Sequence, residues 1–128
     1  MQKFVIYYRV STKSQGESGL GLEAQERDVK IYLDQYLSDS DYTVIDTITD
    51  VKSGKGLLQD RPLLAKAVSL AEEHNATLLV AKIDRLGRDL EVIAHLIKRV
   101  DVKVASMPNA DNFQLHIYAA LAQQERDF

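Results

Sequence analysis

The sequence has no cysteine among its 128 residues. That excludes disulfides and thiolate metal sites, and it suits a reducing cytosol. No run approaches the ~18 consecutive apolar residues of a membrane span. The apolar stretch after Met1-Gln2-Lys3 is too short for a signal peptide and reads as a first strand. There is no internal repeat and no low-complexity segment. Positive charge is not in excess: 16 basic against 19 acidic residues give a formal charge of -3. This argues against a chain that coats nucleic acid through a general basic surface, but it leaves room for a local phosphate site. What is present is ordinary for a globular domain, with 45% hydrophobic and 27% charged residues. The length suits one domain with a substantial core.

Apolar patterning divides the chain into alternating strands and helices. Lys3–Tyr8, Tyr42–Thr49, Thr77–Ile83 and Val102–Met107 read as strands. A helix is expected from Leu22 to about Leu37. A second, with Asp60 as its N-cap and Pro62 in its first turn, runs to about Asn75, and a third covers Leu90 to Lys98. A last helix starts near Asp111 or Asn112. Its stripe of Phe113, Ile117, Ala120 and Leu121 reaches Phe128 without a stop signal, so a longer helix truncated near residue 128 is expected. This order predicts a three-layer α/β domain. Its mostly parallel central sheet has four to five strands, with helices on both faces.

In such sheets ligands bind beyond the carboxyl ends of the strands. Strand one is expected to end at Tyr8, before Arg9 and Ser11. Strand two is followed by Asp50, Ser53 and Arg61. Strand three is followed by Asp84-Arg85-Leu86-Gly87-Arg88. Parallel strands would bring four of the seven arginines, Arg9, Arg61, Arg85 and Arg88, near the Ser11 hydroxyl and the Asp50 and Asp84 carboxylates. Like charges ~4 Å apart repel by about 4 kcal/mol at an effective dielectric of ~20. A bound anion removes that cost, and guanidinium forks match phosphate oxygens. An arginine cage around a hydroxyl is what phosphoryl transfer to a serine would need. The alternative is that these arginines form surface ion pairs with Asp60, Asp84 or Asp89.

At these residues the sequence resembles the catalytic domain of the serine recombinases, the resolvase/invertase family. Tyr7-Tyr8-Arg9-Val10-Ser11-Thr12 with Gln15 is similar to the family's Tyr-x-Arg-Val-Ser-Thr-x-x-Gln. Leu22-Glu23-Ala24-Gln25 resembles the Leu-x-x-Gln of its first helix. Asp50, Ser53-Gly54 and Arg61-Pro62 resemble its Asp…Ser-Gly…Arg segment. Asp84-Arg85-Leu86-Gly87-Arg88 resembles its Asp-Arg-Leu-x-Arg motif. Ala119 to Arg126 resembles the start of its long dimerisation helix.

The resemblance implies a DNA recombinase catalytic domain over residues 1–128, with the family's DNA-binding region lying after the long helix. Ser11 would attack the scissile phosphodiester and form a 5′-phosphoserine link, with religation needing neither ATP nor metal. Arg9, Arg85 and Arg88 would hold the phosphate, joined by Arg61. Asp84 would orient the arginines or shuttle a proton. Tyr7, Gln15, Gln25, Asp50 and Ser53 would support them, and Glu125 and Arg126 would act at a subunit contact. No cofactor is implied. The implied partners are a double-stranded recombination site and further copies of the full-length protein, in a prokaryotic cytoplasm and encoded by a phage, plasmid or other mobile element.

Two rivals remain on the residues alone: an arginine-caged phosphate-binding or phosphohydrolase domain, and an inactive DNA-associated regulatory module. His74, His95 and His116 fall on separate helices, which does not suggest a metal site. Lys52-Ser53-Gly54-Lys55-Gly56 lacks the spacing of a nucleotide phosphate loop.

Overall fold

The computed structural model describes residues 2–10, 20–37, 41–51, 62–82, 90–112, 114, 115, 117, 120 and 121. Strands and helices alternate along them: β1 (Gln2–Val10), α1 (Leu20–Tyr36), β2 (Tyr42–Val51), α2 (Pro62–His74), β3 (Thr77–Val80), α3 (Leu90–Arg99) and β4 (Val102–Val104). Among the described residues the strands form one sheet in the order β2-β1-β3-β4, and every pairing is parallel.

β1 lies inside the sheet, between β2 and β3, which explains its unbroken apolar run: a strand covered on both faces cannot alternate with polar residues. Its side chains still alternate in direction. Phe4, Ile6 and Tyr8 pack with Val29, Tyr32 and Leu33 of α1. Val5 and Tyr7, with Ile48 of β2, pack with Leu64, Ala67, Val68 and Ala71 of α2 and Leu96 of α3. Strand order requires this division. The step from β1 to β2 runs one way and the step from β2 to β3 runs back across β1. Crossovers of one hand then put α1 and α2 on opposite faces. The result is the expected three-layer domain, with four strands described. Fully buried residues such as Leu64 and Leu78 each contribute about 1.5–3 kcal/mol of apolar burial.

Several boundaries differ from the sequence expectation. β1 continues past Tyr8 and β2 past Thr49, because the ladder carries on through Arg9↔Asp50 and Val10↔Val51. Two ionisable residues there look like loop in the sequence but sit buried within the sheet. β3 stops at Val80, and β4 stops at Val104. After Val104 the chain turns back on itself, with Met107 N–H donating to the Val104 carbonyl at 2.9 Å. α1 begins at Leu20 rather than Leu22.

The helix ends follow local chemistry. Asn75, just past α2, has φ 53°, a left-handed conformation that asparagine tolerates better than most residues. Its N–H donates to the Glu72 carbonyl at 3.3 Å, and Ala76 N–H donates to that of Ala71 at 2.8 Å. Asp111 caps the helical residues that start at Asn112. Gln114 N–H donates to Asp111 Oδ1 at 2.8 Å, and Asp111 N–H donates to Gln114 Oε1 at 3.0 Å, which satisfies two terminal donors reciprocally. Asn112 ties this start to the core, accepting from Val102 N–H at 3.2 Å and donating to the Ile97 carbonyl at 3.2 Å.

Candidate active site

In a sheet of order 2-1-3-4, strand order reverses between β1 and β3, and a crevice opens at their carboxyl ends. Arg9 and Val10 end β1 beside Asp50 and Val51 of β2. Tyr7, Arg9, Gln25 and Asp50 are the expected site residues that fall within the described structure, and all four are buried here.

Tyr7 is fully buried, and its hydroxyl donates to Asp50 Oδ2 at 2.6 Å. A phenol buried in an apolar layer needs such a partner. Its ring belongs to the core, and its hydroxyl braces the carboxylate. Asp50 is only 2% exposed. Its other oxygen, Oδ1, has no hydrogen-bond partner among the described residues.

Arg9 is 5% exposed, so a surface ion pair does not describe it. Register pairing with Asp50 puts the two residues on the same face of adjacent strands, which lie ~4.8 Å apart. A buried cation beside a buried carboxylate offsets part of the desolvation that each would suffer alone.

Gln25 comes from α1 on the opposite face and is 2% exposed. Its Oε1 accepts Arg9 N–H at 3.0 Å, and its Nε2 donates to the Arg9 carbonyl at 2.8 Å. The same Nε2 donates to the Gly21 carbonyl at 3.0 Å. β3 pairs with β1 only as far as Ile6. The primary amide thus supplies the donor and acceptor that a neighbouring strand would otherwise give. A Leu-x-x-Gln signature does not reveal this job.

Tyr8 points to the other face, toward α1. Burial, with a smaller contribution from the Glu26 carboxylate, pushes its phenol up to about 12. It is a protonated core residue at neutral pH.

The remaining expected site residues, Ser11, Gln15, Ser53, Arg61, Asp84, Arg85, Arg88, Glu125 and Arg126, lie outside the described residues. Among the described residues no group of three or more His, Asp or Glu side chains could hold a metal ion. None of the described helices is long and apolar enough to cross a membrane.

The arrangement is a buried arginine at a strand end, its backbone fixed by Gln25, with the braced Asp50 opposite it in the ladder. Such a group can present a planar pair of N–H donors to an anion with little reorganisation.

Comparison with known proteins agrees with this architecture. The N-terminal catalytic domain of TP901-1 integrase superposes with a TM-score of 0.70 at 28% identity, covering 98% of each chain. The C-terminal catalytic domain of ISC1926 TnpA, an IS607-like serine recombinase, gives a TM-score of 0.57 at 28% identity, covering 80% of this chain and 70% of that one. A resolvase family site-specific recombinase from Streptococcus pneumoniae shares the fold, with a TM-score of 0.64 at 24% identity over 99% and 89% of the two chains. No curated protein gives a significant match. The family model for the resolvase N-terminal domain matches residues 4–128, nearly the whole sequence, and the chain belongs to that family.

Proposed function

We propose that this resolvase-family catalytic domain cleaves and rejoins DNA through Ser11. The Ser11 oxygen attacks the scissile phosphorus, forming a P–O bond to serine as the bond to the 3′ oxygen breaks. The serine proton is lost and the departing 3′ oxygen gains one, with Asp84 orienting the arginines or carrying the proton. Arg9, Arg61, Arg85 and Arg88 neutralise the charge that builds on the phosphoryl oxygens. Religation reverses the step with a new 3′-hydroxyl, so the energy stays in the phosphoserine ester. Gln15, Gln25, Tyr7, Asp50 and Ser53 support the site, while Glu125 and Arg126 act between subunits. The DNA site is held by a region outside residues 1–128, and cleavage takes place in an assembly of several copies.

The observation that carries this reading is Arg9. It is buried at the carboxyl end of β1, with its N–H and carbonyl both held by Gln25, two residues before Ser11. Burying a guanidinium is costly, and anchoring it at the switch point of a parallel sheet suits a group that meets an anion there.

The test is a covalent trap. The full-length protein is incubated with double-stranded DNA from the region flanking its own gene, denatured, digested and examined by mass spectrometry. The expected result is a nucleotide joined through phosphate to the peptide containing Ser11, absent from Ser11→Ala. Turnover of a simple phosphate ester without any adduct would support a phosphohydrolase instead. Arginine-dependent DNA binding that is indifferent to Ser11→Ala would support a regulatory module.

A further inference from the structure

We infer that Asp50, braced by Tyr7, is a positioning residue for Arg9, accepting the inner edge of its guanidinium so that the outer edge meets the scissile phosphate. This rests on the strand-cleavage reading above and adds a role for the carboxylate.

The argument starts from an imbalance. Asp50 has four lone-pair sites on two oxygens. Tyr7 occupies Oδ2 at 2.6 Å, whereas Oδ1 is buried and has no hydrogen-bond partner among the described residues. An open acceptor on a buried carboxylate is costly, and such groups are rare in folded proteins. A donor that reaches Oδ1 when the site is loaded removes that cost.

Register supplies that donor. Arg9 pairs with Asp50 across the β1–β2 ladder, so both side chains leave the sheet on one face. Guanidinium carries five N–H donors in a fixed plane, enough for a carboxylate on one side and a phosphate on the other. Tyr7 stands one turn of the strand pleat before Arg9, opposite Ile48. Its bond to Oδ2 limits rotation of the carboxylate, so Oδ1 keeps one direction. Asp50 touches neither DNA nor the reacting atoms in this scheme and acts only through Arg9.

The experiment is a double-mutant cycle in the full-length protein. The readout is the single-turnover rate of adduct formation, with DNA affinity and thermal midpoint measured alongside. The substrate carries sulfur in place of the bridging 3′ oxygen, whose easier departure keeps slow variants measurable. Asp50→Asn preserves shape and an acceptor for Tyr7, but turns the second oxygen into a donor that faces Arg9. It should slow cleavage at least ~100-fold, as loss of a preorganised charge contact does, with DNA affinity within about threefold. In an Arg9→Lys background the same change should cost less than about threefold, because the planar fork it orients is gone.

Equal penalties in both backgrounds, a rate loss that merely follows the unfolded fraction, or cleavage by Asp50→Asn within about threefold of the parent would each overturn the inference. Absence of any Ser11 adduct in the parent protein would instead overturn the strand-cleavage reading.

Discussion

Gln25 holds both backbone hydrogen-bonding groups of Arg9, accepting at 3.0 Å and donating at 2.8 Å. The side chain of one layer thereby completes the edge of the next at the point where β1 outruns β3. Gln25→Leu keeps the volume and removes three hydrogen bonds, leaving Arg9 N–H and carbonyl groups without this partner. Unfolding in urea should show a loss of about 2–4 kcal/mol with unchanged m. Gln25→Glu is the sharper variant. It keeps the acceptor for Arg9 N–H but sets an oxygen against the Arg9 and Gly21 carbonyls, so it should be no more stable than Gln25→Leu. A loss below about 1 kcal/mol for both would mean that water replaces the amide at little cost.

Asn75 gives a prediction of the opposite kind, through backbone conformation alone. Its φ of 53° suits glycine and asparagine, whereas a β-branched residue is strained there. Asn75→Gly should leave the thermal midpoint nearly unchanged. Asn75→Val should lower stability by about 1–2 kcal/mol, measured by reversible thermal unfolding. Equal effects from both variants would show that the Asn75 side chain, rather than φ, matters.

The layer order was legible because β1 and β3 carry apolar residues without alternation, the pattern of strands covered on both faces. Arg9 and Asp50 were legible by type, but their burial was not. A charge at the end of an apolar run reads as the start of a loop, and only the ladder partner across the sheet shows that Arg9 and Asp50 continue their strands together. The bond from Tyr7 to Asp50 spans 43 positions and has no local signal. The turn after Val104 was hidden because Ala105 and Met107 prolong the apolar pattern of β4, whereas the bond from Met107 N–H back to the Val104 carbonyl has no sequence signal.

Tyr8 sets a pH window. Burial, with help from Glu26, raises its phenol from 10.0 to about 12, so the folded chain holds this proton more tightly than the unfolded one. The resulting stability is fully present below pH 10 and is lost as pH rises toward about 12. Unfolding free energy plotted against pH should therefore fall through that window, and Tyr8→Phe should fall less steeply. Identical slopes for the two proteins would mean that Tyr8 ionises in the folded state as freely as in the unfolded chain.

The two ends of the sheet should respond differently to the loss of an arginine. At the amino end of β3, Arg99 Nε donates to Glu72 Oε2 at 3.0 Å. This pair holds the Glu72 carboxyl below and the Arg99 guanidinium above their ordinary values. Both partners are solvent-accessible, so the contact is screened and adds little to stability. Arg99→Gln should leave strand cleavage within about twofold. Arg85→Ala and Arg88→Ala, on the strand-cleavage reading, remove charge that the phosphoryl oxygens need as the bond to the 3′ oxygen breaks. Each should slow adduct formation at least ~100-fold. The comparison is made on DNA-bound full-length protein at fixed salt, so that weaker binding does not pass for slower chemistry. A drop of less than tenfold at Arg85 or Arg88 would move that arginine off the phosphate. A large drop at Arg99 would mean that the amino end of the sheet communicates with the chemistry, which nothing in the layer packing requires.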